Sequence, residues 1–163
     1  MVGYGGSLTG DRIAFMPDFS AAFVNSICGC CGEMEEVRPG ADAGTSWIPW
    51  GATGYGAAVS PDGRFLYATN GRSPMGCSAS QNLAQLNSYD TSTPTLNQLQ
   101  YAHTYDEPRG LAVSADGRRV FVAGYGDSSP ALPGIQAYDG VTLPQVGPPL
   151  ALSGQPHDLV MAP

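Results

Sequence analysis

The 163-residue chain contains no lysine; its seven basic residues are all arginine. That excludes a Schiff-base lysine and the phosphate-gripping lysine of a P-loop. Charge of either sign is scarce, at 13% of residues, and the net charge is −7 with a pI near 4.4. Nucleic acid is therefore not an expected partner, and an anionic lipid surface would repel the chain. Histidine occurs only at His103 and His157, too few for a multi-histidine copper cluster. Runs of Ala, Leu, Glu and Lys at helical spacing are missing, so almost no helix is expected. No apolar run approaches the roughly 18 residues of a membrane span, which excludes helical membrane insertion. The opening segment, MVGYGGSLTGDR, has neither a basic nor an apolar region of the kind that makes a signal peptide.

What the chain does have is glycine (22), proline (14) and a repeated phrase. AAVSPDGRFLYAT runs from Ala57 to Thr69 and LAVSADGRRVFVA from Leu111 to Ala123. A worn copy, IAFMPDFSAAFVN, covers Ile13 to Asn25, and a beginning, DLVMAP, covers Asp158 to Pro163. Asp18, Asp62 and Asp116 fall in one register, at offsets of 44 and 54 residues. Short strands repeating every 40–50 residues or so are the signature of a β-propeller.

The clearest repeat predicts one blade. Pro108–Ser114 reads as an innermost strand, apolar on both faces. Ala115-Asp116-Gly117-Arg118 reads as a tight turn, with glycine supplying the positive φ. Val120–Ala123 is a second strand, Ile135–Tyr138 a third, and a poorer fourth lies around Leu143–Leu152. The second blade repeats the order over Ala57–Ser60, Phe65–Thr69, Leu83–Tyr89 and Thr95–His103. The first fits less well, with Ile13–Met16, Ala21–Asn25, Glu35–Arg38 and Thr45–Trp50. The expected fold is all-β, in blades of four antiparallel strands: blade 1 over about 11–54, blade 2 over 55–108 and blade 3 over 109–156. Residues 157–163 are expected to be the first strand of a further blade.

The phrases AVSPDGRFLYATN and PRGLAVSADGRRVFVAG resemble the YVTN family of propeller repeats, relatives of the WD-repeat and NHL-type propellers. The likeness covers about 150 of the 163 residues. It departs from the pattern at Phe19-Ser20, which replace the Gly-Arg of the turn. It implies a blade architecture and not an activity, because such families include envelope proteins, sugar lactonases and quinoprotein-like dehydrogenases. Closed propellers use about four to eight blades. Three blades and an orphan strand thus predict either part of a longer propeller or copies that complete one another, such as a two-fold six-bladed ring.

Cys28, Cys30 and Cys31 lie in SICGCCGEM and Cys77 in SPMGCSAS, both read as loops after a second strand and so on one face of the propeller. One or two disulfides stapling these loops, in an oxidising compartment, is the leading expectation. A thiolate metal site at the C-x-x-C spacing of Cys28 and Cys31, or free thiols, are the alternatives. Trp47 and Trp50, flanking Pro49, either cover an outer edge of blade 1 or offer aromatic contacts to a partner or glycan.

Aligning the innermost strands places Asp11, Tyr55, Arg109 and His157 at one equivalent position, around the mouth of a central channel. Carboxylate, phenol, guanidinium and imidazole there suit a small anion or sugar acid, or are solvated rim residues. Asp11 alone is a carboxylate, so the cation site of a lactonase-type propeller is not supplied. The turn aspartates are read as bonding their own backbone and the Glu33, Glu35 and Glu36 cluster as a solvated loop. No G-x-S-x-G elbow occurs. No catalytic residue, metal or cofactor is therefore expected. The expected function is a non-catalytic interaction module, extracellular, periplasmic or on the cell surface, binding a protein or glycan through its loops, with homo-oligomers one possibility. The competing expectations are part of a lactonase-like or quinoprotein-like enzyme and a self-assembling ring or filament subunit.

Overall fold

The computed structural model describes residues 12–28, 31–40, 47–50, 54–71, 84–93, 96–126 and 132–161. Its strands form three four-stranded sheets. The first holds β1 (Arg12–Phe15), β2 (Ala22–Cys28), β3 (Cys31–Val37) and β4 (Trp47–Trp50). The second holds β5 (Gly54–Val59), β6 (Phe65–Asn70), β7 (Gln85–Asp90) and β8 (Asn97–His103). The third holds β9 (Glu107–Val113), β10 (Arg119–Tyr125), β11 (Gly134–Asp139) and β12 (Leu150–Ala151). Each sheet is antiparallel and ordered as in the sequence, with β1, β5 and β9 at the inner edge. This is the expected all-β partial propeller, and no helix occurs among the described residues.

The repeated phrase makes the same hairpin three times. In blade 2, Ser60 N donates to Phe65 O at 2.8 Å and Gly63 N to Ser60 O at 2.9 Å. Ser114, Arg119 and Gly117 repeat the pair in blade 3, as Met16, Ala21 and Phe19 do in blade 1. Gly63 and Gly117 take φ of 72° and 69°, which glycine adopts without a steric penalty. Phe19 stands in their place with φ 58°. A bulky aromatic there is strained, at a cost of about 1–3 kcal/mol.

Strand alternation gives each blade a leading face toward the next blade and a trailing face toward the one before. Phe23 and Met34, on the leading face of blade 1, pack with Leu66, Ala68 and Tyr89 on the trailing face of blade 2. Tyr67 and Leu86, on the leading face of blade 2, pack with Leu111, Val120, Val122 and Tyr138 of blade 3. Phe23 and Tyr67 are the same position one repeat apart. The core is therefore one interface built twice. The Tyr67 hydroxyl reaches across it to donate to Gly140 O, and burial, helped by the charges of Asp62 and Asp139, pushes its phenol up to about 12.

Three boundaries differ from expectation. In blade 1, β2 runs on to Cys28 and β3 starts at Cys31, so strand occupies much of the stretch expected as a loop before Glu35. In blade 3, the outermost strand shrinks to Leu150–Ala151. Pro144, Pro148 and Pro149 donate no ladder bonds, and Leu143 and Gly147 adopt positive φ, so the chain crosses the edge irregularly. Residues 155–161 form no strand, since no partner strand lies beside them among the described residues.

Candidate functional site

Tyr55 on β5 and Arg109 on β9, two of the four residues expected at a channel mouth, come together where blades 2 and 3 meet. The guanidinium carbon of Arg109 lies 5.3 Å from the Tyr55 ring centroid and 5.5 Å from that of Tyr125. Arg109 Nη2 donates to Glu107 Oε2 at 2.5 Å and to the Tyr125 hydroxyl oxygen at 2.9 Å. The Tyr125 hydroxyl donates in turn to Glu107 Oε2 at 2.5 Å. Partial burial pulls the guanidinium pKa down, but these bonds and charges more than offset it, leaving it raised. Arg109 is thus a permanent cation held between two aromatic faces and a carboxylate.

Glu107 and the role of Tyr125 were missed in the sequence. The β9–β10 ladder pairs Glu107 with Tyr125, and its register shifts between Ala123 and Gly124, so that a bulge at Arg109, not plain alternation, brings its guanidinium to Glu107. The expected strand began at Pro108, one residue short of Glu107, and a bulge leaves no trace in a period-two pattern. Asp11 lies outside the described residues. His157 is exposed, on the segment whose Leu159 lies against Gly110. Beside the cluster, the Thr69 Oγ1 is buried without a hydrogen-bond partner among the described residues.

Cys28 and Cys31 are direct partners in the β2–β3 ladder, which corrects their placement in a projecting loop. Cys30 and Cys77 lie outside the described residues, and with them the expected cross-loop disulfide. Trp47 and Trp50 are in β4, the outer edge strand of blade 1, paired with Glu35 and Gly32. Glu36 is buried in the sheet and bonded to Arg38 at 2.5 Å, which corrects its reading as part of a solvated loop.

The turn aspartates bond their own turns. Asp62 accepts from the Ser60 hydroxyl at 2.6 Å and the Arg64 N–H at 3.1 Å. Asp116 repeats this with Ser114 and Arg118, at 2.6 and 3.0 Å. Hydrogen bonds, first from the serine hydroxyls, hold both carboxyls below their ordinary range. No group of three or more His, Cys, Asp or Glu side chains is placed to hold a metal among the described residues. A concavity of about 440 Å³ lies between these two turns and is lined by Pro61, Arg64, Phe65 and Arg118.

No known protein family matches the chain, and no curated protein does. Solved structures do match its fold. A candidate 6-phosphogluconolactonase from Bacteroides fragilis superposes with a TM-score of 0.67 at 18% identity, over 90% of this chain and 40% of that one. The WD40 domain of Toxoplasma gondii coronin gives 0.63 at 14%, over 93% and 37%. TolB from Acinetobacter baumannii gives 0.56 at 16%, over 85% and 31%. The chain spans less than half the length of each. At these identities the shared property is the fold: this chain is built as β-propeller blades.

Proposed function

We propose that the chain is a non-catalytic propeller module that binds a protein or glycan partner at the channel mouth, at the cell envelope or outside the cell. The observation that carries this reading is the Tyr55–Arg109–Tyr125–Glu107 cluster. The Arg109 guanidinium, the Glu107 carboxylate and the Tyr125 hydroxyl already bond one another, so the cluster offers preorganised tyrosine rings and a paired cation, not a reactive group. Tyrosine and arginine are the residue types that dominate binding hot spots, and a rigid cluster loses little entropy on association. The envelope placement is supported by the likeness to YVTN repeats and by the cysteine content.

The test is a glycan array and an envelope-fraction binding screen with the unaltered chain and with Tyr55→Ala and Arg109→Ala. A saturable partner, bound at least about tenfold more weakly by both variants, is the expected result. Binding that ignores both substitutions removes the mouth from the proposal. Hydrolysis of a sugar lactone, abolished by Arg109→Ala, would overturn the non-catalytic reading.

A further inference from the structure

We propose that the concavity between the turns of blades 2 and 3 binds a monocarboxylate with an apolar body, either a free acid or the C-terminus of a peptide. Its walls come from blades 2 and 3, so it does not belong to the open ends of the sheet array. The turn and Arg109 stand toward opposite ends of β9. The site is therefore separate from the Tyr55–Arg109 cluster, and its test is independent of the partner-binding reading.

The repeat explains why there is room. Met16, Ser60 and Ser114 are one position in successive blades. Between blades 1 and 2, Met16 lies over the glycine of the next turn. A Cβ built on Gly63 would stand 3.2 Å from Met16 Cε and 3.4 Å from Pro17 Cδ. Between blades 2 and 3, Ser60 replaces the methionine, and its hydroxyl turns back to donate to Asp62 Oδ1 at 2.6 Å. A Cβ built on Gly117 would then meet only Pro61 Cδ within 4 Å, at 3.6 Å, among the described residues. The thioether that fills the first junction is missing from the second, where about 440 Å³ stays open. Small-molecule sites run to about 300–1,000 Å³.

The lining differs as much as the space. Arg64 and Phe65 stand where blade 1 has Ser20 and Ala21, and Val141 stands where blade 2 has Ser92. The second junction thus has a guanidinium from each blade and an apolar floor, where the first has one arginine and small polar residues. Arg64 stacks on Phe65, with 5.4 Å from guanidinium carbon to ring centroid, and makes no ion pair among the described residues. Arg118 lies 4.0 Å from Asp116 and is 83% exposed.

These charges select the ligand. Asp62 and Asp116 also line the concavity, each with Oδ1 bonded to the serine hydroxyl and an amide of its own turn. Two carboxylates against two guanidinia leave no local excess of positive charge, and the whole chain carries −7. A polyanion such as phosphate therefore gains little there. A single carboxylate suits the forked donors of Arg64 or Arg118. Its apolar body would meet Phe65, Pro61 and the exposed Val141.

Isothermal titration of the unaltered chain with N-acetylphenylalanine, its amide and inorganic phosphate tests this. The acid should bind saturably, and the amide and phosphate at least about tenfold more weakly. Ser60→Met copies the filled junction of blade 1 and should abolish binding with the thermal midpoint little changed. Arg64→Ser, also the blade 1 residue and on an exposed side chain, should weaken binding about tenfold or more and decides the matter if Ser60→Met does not fold. A short peptide ending in free phenylalanine that binds as tightly as the acid identifies a protein C-terminus as the source, and its exclusion identifies a free acid. No saturable binding of the acid overturns the proposal. So does an amide or phosphate that binds as tightly, or binding that survives Arg64→Ser or a folded Ser60→Met chain unchanged.

Discussion

A Cβ on Gly110 would meet the backbone nitrogen of Leu159 at 2.5 Å. The same relation recurs one blade earlier, where a Cβ on Gly56 would meet Leu111 Cβ at 3.0 Å. Leu111 and Leu159 are equivalent repeat positions, so the segment after blade 3 already sits where a further innermost strand belongs. The two glycines should nevertheless respond differently to substitution. Gly56→Val collides between two packed blades and should destabilise the fold by about 1–3 kcal/mol. Gly110→Val should push residues 155–161 off β9 and leave the thermal midpoint nearly unchanged. Hydrogen exchange at the Leu159 amide, set beside a melting curve, separates the two effects. Protection at Leu159 that survives Gly110→Val would mean that the segment is held elsewhere.

Alkaline pH should loosen the interfaces between blades. Burial is the main cause that raises the phenols of Tyr67 and Tyr138 to about 12, from an ordinary value of 10.0. A raised folded value means that the unfolded chain loses these protons first. Stability tied to them is complete below pH 10 and declines as pH rises from 10 toward 12. Urea midpoints measured across that window should fall, and Tyr67→Phe should flatten the decline. A slope unchanged in Tyr67→Phe would assign the alkaline loss to other groups.

The blade architecture was legible because the turn imposes its own chemistry. Asp62-Gly63 and Asp116-Gly117 each mark a positive φ and a side-chain-capped hairpin. Strands with strong local signals, such as Phe65–Asn70, were placed within a residue. The third strand of blade 1 was not, because Cys31-Gly32-Glu33 has low strand propensity and is recruited by pairing with β2. Tyr55 and Arg109 could be singled out by repeat alignment, which finds equivalent positions on successive innermost strands. Glu107 and Tyr125 were hidden because their role depends on pairing between strands, which alignment of repeats does not encode.

Thr69 should tolerate loss of its hydroxyl. Its Oγ1 is buried without a partner among the described residues, and the equivalent position in blade 3 is Ala123. An unsatisfied buried hydroxyl costs about 1–3 kcal/mol relative to an apolar group of the same shape. Thr69→Val, which keeps the volume, should therefore be neutral or stabilising in chemical denaturation. A clear loss of stability would imply a water or ligand bonded to that oxygen, and would extend the mouth cluster inward.

Arg109 should behave as the centre of a unit. Glu107 and Arg109 are each more than a third exposed, so their ion pair alone contributes about 0–1 kcal/mol. Stacking against two tyrosines adds about 0.5–1 kcal/mol per ring at such a site. Arg109→Lys keeps the charge but loses the planar stack and the forked bonding, and should cost about 1 kcal/mol. Tyr125→Phe keeps the ring but removes the hydroxyl that joins Arg109 to Glu107. If the cluster acts as a unit, combining the two substitutions costs less than the sum of the single costs, because each already breaks the same network. Additive losses in that double-mutant cycle would reduce the cluster to independent surface contacts. The preorganisation on which partner binding at the mouth depends would then be gone.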